Sequence, residues 1–100
     1  MNKLTLLLTR SEWQQLAAWM LTESTHAERI DDKYMRALLY PLLKQVYVKL
    51  HNKLHSLHQD KNRLNLTLPE ASVLATTLLE IDSNSYLVIQ ITGIIDQKLT

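Results

Sequence analysis

The chain contains no cysteine. Disulfides, thiolate nucleophiles and cysteine-ligated zinc are therefore excluded, and a reducing compartment fits. Glycine occurs once, as Gly93. Phosphate-cradling loops need several glycines, because only a residue without Cβ lets the backbone come close to a phosphate. A Rossmann or Walker site is not expected, nor are tight primed hairpins. Phenylalanine is missing, and the apolar content of 46% rests on leucine and isoleucine with Trp13, Trp19 and four tyrosines. No charge prevails: the formal net charge is +1, so no global field draws in a polyanion. No segment approaches the ~20 apolar residues of a membrane span. The apolar run in MNKLTLLLTR stops at Arg10, too soon for the core of a signal peptide. The expectation is a soluble, cytoplasmic protein without a membrane partner. Its 100 residues suit one domain, 1–100, with a modest core, and its hydrophobicity argues against disorder.

What is present reads as one pattern stated twice. KLTLLLT (3–9) puts Leu4, Leu6 and Leu8 on one face, and RLNLTLP (63–69) does the same with Leu64, Leu66 and Leu68. Period-two leucines predict short, half-buried strands. Each runs into a Thr-x-x-Glu capping box, Thr9 with Glu12 and Thr67 with Glu70, which marks a helix start. Trp13, Leu16, Ala17 and Met20 form the apolar stripe of the first such helix; Leu74, Leu78 and Ile81, with Ala71 and Ala75, form that of the second. A further segment follows each, YMRALLYPLLKQVY (34–47) and YLVIQITGIIDQKL (86–99), with Tyr34 matching Tyr86 and Pro41 matching Gly93. Residues 86–92 suit a strand as well as a helix; the match and the polar ending favour a helix. The predicted fold is a mostly helical α+β domain with two short strands and about four helices. A duplicated β-α-α unit with pseudo-twofold symmetry, halves 1–59 and 60–100, would account for it.

From about Asp32 to Gln59 the pattern is helical, with a kink or break expected at Pro41. Leu43, Val46, Leu50, Leu54 and Leu57 make a seam at three- and four-residue steps, close to a coiled-coil stripe. Such a seam serves either the domain's own core or a second copy. Trp19, one residue off the core stripe, is a further contact candidate, since aromatics are enriched at interfaces. The leading reading is a protein-interaction or structural module that self-associates through this helix as a homo-oligomer, a dimer being favoured, with another protein as a further partner.

The alternative is a nucleic-acid-binding accessory protein. Residues 41–63 hold Lys44, Lys49, Lys53, Lys61 and Arg63 against Asp60, whereas residues 64–100 hold Glu70, Glu80, Asp82 and Asp96 against Lys98. Lysines so placed can displace counterions from phosphates, but the same asymmetry also suits two faces of one oligomer meeting. Histidines His51, His55 and His58 share a face of the long helix, and a pair four apart can converge on one metal ion. A tight site needs further ligands; His26, Glu23, Glu28, Asp31 and Asp32 are candidates, and no spacing brings them near. Imidazole alone suits nickel or zinc, so a metal site is a weak candidate and no cofactor is expected. An enzyme is not expected: serines 11, 24, 56, 72, 83 and 85 lack nucleophile-elbow glycines, and Asp31 with Asp32 reads as a helix start. If the seam joins two copies, Leu50→Asp splits the oligomer into folded monomers, read as a halved mass by light scattering.

Overall fold

Two strands, β1 at Lys3–Leu8 and β2 at Asn62–Thr67, pair in an antiparallel sheet. The computed structural model describes residues 3–27, 31–82 and 84–99. Leu6 lies opposite Leu64, Leu4 opposite Leu66 and Leu8 opposite Asn62. The alternation buries those six side chains on one face and leaves Lys3, Thr5, Leu7, Arg63 and Asn65 on the other. Two strands are marginal alone, so the leucine face must be covered by helices.

Both capping boxes form. The Thr9 amide donates to the Glu12 carboxylate at 2.8 Å and the Glu12 amide to the Thr9 hydroxyl at 3.2 Å, starting α1 (Arg10–Ala27). Thr67 and Glu70 repeat the exchange at 2.8 and 3.3 Å, starting α3 (Leu68–Asp82). Helix α2 (Lys33–Asn52) is capped by Asp32, whose carboxylate accepts the amides of Tyr34 and Met35. Residues 86–92 are helical and belong to α4 (Tyr86–Leu99). Among the described residues the fold is thus a mostly helical α+β arrangement of two strands and four helices.

Trp13, Leu16, Met20, Leu43, Val46, Leu50, Leu74, Leu78, Val88, Ile91 and Ile95 close on the leucine face to form one core. Helix α2 lies against β2, and α4 against β1. Burial repeats between the halves. Trp13, Leu16, Ala17 and Met20 answer to Ala71, Leu74, Ala75 and Leu78, 58 positions on; Leu43, Val46 and Leu50 answer to Val88, Ile91 and Ile95, 45 positions on. The second offset sets Pro41 against Tyr86 rather than Gly93. The stretch from Trp13 to Leu50 is therefore 13 residues longer than the stretch from Ala71 to Ile95.

Three expectations need correction. The long helix stops at Asn52, not near Gln59. The Lys53 amide turns back to Leu50 at 3.3 Å, and Leu54 and Ser56 close short turns behind it. Buried Asn62 then organises the loop: its Oδ1 accepts the His58 amide at 2.8 Å, and its Nδ2 donates to the carbonyls of His58 and Leu8. Second, of the kink or break expected at Pro41 the break does not occur, since α2 continues through it. Ala37 and Pro41 are both exposed, so the carbonyl that loses its helical donor can reach water. Third, the seam belongs to the chain's own core. Leu43, Val46, Leu50 and Leu57 are buried and Leu54 is half-buried against them.

The expected result for Leu50→Asp is now loss of the fold rather than a folded monomer, because a carboxylate would be buried without a partner. Leu50→Ala should cost about 2–5 kcal/mol, measured by urea denaturation followed by circular dichroism. Asn62→Ala strips three hydrogen bonds from a buried corner and should cost roughly 1–3 kcal/mol in the same assay.

Candidate protein interface on the second helix

With its seam turned inward, α2 shows solvent the opposite face. Tyr34, Leu38, Pro41, Gln45 and Val48 follow one another at steps of four and three, the spacing that keeps residues on one side of a helix. All five are exposed, Tyr34 at 76%, Leu38 at 60% and Val48 at 42%. Met35 is exposed beside them. This second stripe runs about 21 Å along the axis at 1.5 Å per residue. Two shallow cavities meet at Pro41. One of about 670 Å³ lies between α2 and the start of α3, lined by Pro41, Lys44, Gln45, Val48, Lys49, Thr67 and Glu70. The other, about 410 Å³, continues along the helix over Lys33, Arg36, Ala37 and Tyr40. An apolar floor and a cationic rim thus follow one helix face.

The floor of the larger cavity is fixed by an ion pair. The Lys49 ammonium lies 2.6 Å from the Glu70 carboxylate and donates to the Asn65 carbonyl at 2.9 Å. Glu70 is 2% exposed. Burial alone would raise its carboxyl, but the Lys49 hydrogen bond, the Thr67 amide, the Lys49 charge and the Thr67 hydroxyl together hold it below the ordinary glutamate value. One turn on, the Lys53 ammonium donates to the Arg63 carbonyl at 3.1 Å and lies over the Trp13 ring.

The five basic residues proposed for phosphate contact are therefore not one free face. Lys49 and Lys53 turn to the backbone of β2, and with Arg63 they line a cavity of about 320 Å³ beside Trp13. Lys44 lies over the Tyr40 ring, 5.6 Å from its centre. Lys61 and Arg63 are exposed before and within β2. The histidines are separated too. His51 ends α2, its Nδ1 3.5 Å from the Tyr47 hydroxyl, whereas His55 and His58 lie beyond the helix end. A four-residue pair on one helix face is therefore not formed. Among the described residues no group of three or more His, Asp or Glu is close enough to hold a metal ion. Glu28, Ser83 and the His26 side chain lie outside the described residues. Trp19 is half-buried against the core.

Sequence reasoning missed the outer stripe, although its four- and three-residue steps were visible. Proline and glutamine interrupt it, and the inner leucines on the same helix are the stronger pattern. Among the described residues no helix is long and apolar enough to cross a membrane. Compared with protein-family models, curated proteins and solved structures, the chain matches none of them.

Lys49→Met should destabilise the fold by about 1–3 kcal/mol, below the value for a fully buried pair because Lys49 is partly exposed. The pH dependence follows from the lowered Glu70 carboxyl. Its contribution is fully present above the ordinary glutamate value and is lost as pH falls through the lower, folded-state value. Glu70→Gln should therefore flatten the acid limb of stability below roughly pH 4.3, read from thermal melts between neutral pH and the acid transition.

Proposed function

We propose that this chain is a structural protein-interaction module that associates with copies of itself, and that the outer face of α2 is one of its contact surfaces. The observation that carries this reading is the exposed stripe Tyr34, Leu38, Pro41 and Val48, opposite the seam that the core uses. Single exposed apolar residues are ordinary, but a continuous stripe with cavities along it marks an interaction site. Self-association is favoured over capture of an unrelated protein by the chain's own charge pattern. From Lys33 to Gln59 there is no carboxylate at all, while the last third of the chain is acidic. One copy therefore carries both signs that an interface needs.

A nucleic-acid-binding role has one observation in its favour, the cavity where Lys49, Lys53 and Arg63 come together. Against it, both ammonium groups there already donate to carbonyls of β2. Leu38, Pro41 and Val48 offer nothing to a phosphate, and neither stacking nor base-edge contacts.

Light scattering of the purified, untagged chain, with absorbance at two wavelengths, tests both readings. The expected result is a mass above that of one chain, free of nucleic acid, that rises with concentration. A monomer at every concentration removes the self-association reading. A particle carrying nucleic acid that salt strips off puts the phosphate reading first, because counterion release makes such binding steeply salt-dependent.

A further inference from the structure

The stripe on α2 names one face of the contact, and the other face lies at the far end of the chain. Leu79, Tyr86 and Ile89 are exposed at 51%, 80% and 56%. Leu79 falls within the last turn of α3, and Tyr86 and Ile89 within the first turn of α4. The short connection between these helices therefore holds all three side chains at one end of the α3–α4 hairpin. Glu80 and Asp82 sit among them, both exposed. One Asp82 oxygen accepts the Asn84 amide. This end of the hairpin is exposed, apolar and acidic; the α2 groove is apolar and basic. The two are opposite in charge sign.

We propose that the acidic, apolar α3–α4 end of one copy docks into the basic α2 groove of the next. The proposal rests on the self-association reading and adds to it which surfaces meet. Leu79, Tyr86 and Ile89 supply the apolar contact over Pro41 and Val48, and Glu80 and Asp82 face Lys33 and Lys44. Like charges disfavour the simpler arrangement, α2 against α2, because each helix would bring its lysines and no carboxylate between Lys33 and Asn52. Nor does the outer face of α4 substitute for that of α2. By the burial match, the positions of Pro41, Gln45 and Val48 are held in α4 by Tyr86, Gln90 and Gly93. Contact between two different faces is heterologous, so it yields rings or growing chains rather than a necessarily closed pair.

The test uses two single variants at exposed positions, Val48→Asp in the groove and Ile89→Asp at the hairpin end. Circular dichroism and thermal melts check that each is folded. Each variant alone is expected to lose wild-type assembly, with an association constant at least tenfold weaker by sedimentation velocity. Mixed one to one, they are expected to form a dimer, because a Val48→Asp chain keeps a working hairpin end and an Ile89→Asp chain keeps a working groove. Lys44→Glu should weaken assembly several-fold, and mixing it with Glu80→Lys should recover most of that loss. Raising salt from about 50 to 300 mM should weaken wild-type assembly several-fold, since exposed charge pairs are screened.

A mixture that stays monomeric overturns the proposal. So does dissociation by Val48→Asp with no effect of Ile89→Asp, which would assign the groove to an identical face or to another site. A wild-type chain that is monomeric throughout removes the self-association reading itself. Wild-type assembly with no recovery on mixing removes only the pairing of these two faces.

Discussion

The Lys49 ammonium joins three elements at one point. It starts from α2, pairs with Glu70 at the head of α3, and donates to the Asn65 carbonyl in β2. Glu70 in turn takes the Thr67 amide, so the same carboxylate caps α3 and anchors α2. Fixing Lys49 fixes how α2 is rotated. With Lys49 directed to the strand, Leu43, Val46 and Leu50 face the core, while Leu38, Pro41 and Val48 face solvent. Weakening this contact would loosen the groove together with the core, since one rotation defines both.

The same lysines also occupy one edge of the sheet. A strand edge with unpaired backbone groups invites another strand, and natural proteins often guard such edges with lysine. Here the carbonyls of Arg63 and Asn65 are occupied by Lys53 and Lys49, and α4 lies against β1. Association by strand addition at β2 is thereby disfavoured. Two lysines that look like phosphate grips in the sequence are in the structure components of the sheet. That use explains why a local excess of basic residues is a poor guide to a polyanion site in this chain.

Much of the architecture was legible because it is set by local rules. Alternating leucines forecast both strands, and two Thr-x-x-Glu frames forecast the starts of α1 and α3. The end of α2 was not legible, because it depends on tertiary contacts. Residues 53–58 continue an apolar rhythm that suits a helix, yet Asn62 captures the His58 backbone and, 54 residues away in sequence, bonds the Leu8 carbonyl of β1, which turns the chain toward β2. The metal pair failed with the helix that was to carry it. The seam is a helix stripe as far as Leu50, while Leu54 and Leu57 lie past the helix end, and of its two possible neighbours the chain's own core takes up its buried leucines. A periodic run of leucines states that a face is buried, not which surface buries it. Residues 86–92 were ambiguous for a related reason: valine and isoleucine suit a strand, and packing of Val88, Ile91 and Ile95 on the core decides for a helix.

The extra length of the first hairpin bears on the proposed contact surface of α2. By the burial match, Pro41 stands where α4 begins. A helix starting there would suit proline well, because the first turn has no use for its missing amide hydrogen. Instead α2 begins eight residues earlier, at Lys33, and Pro41 becomes an interior position, where proline removes a hydrogen bond and crowds the preceding turn. The core gains little from this extension. Residues 33 to 38 are all exposed, and only Leu39 and Tyr40 pack partly inward. What the extension adds is outer surface, including Tyr34, Met35 and Leu38 at one end of the stripe and Lys33 on its rim. A helix extended at a conformational cost, for surface rather than core, supports a contact made outside the chain.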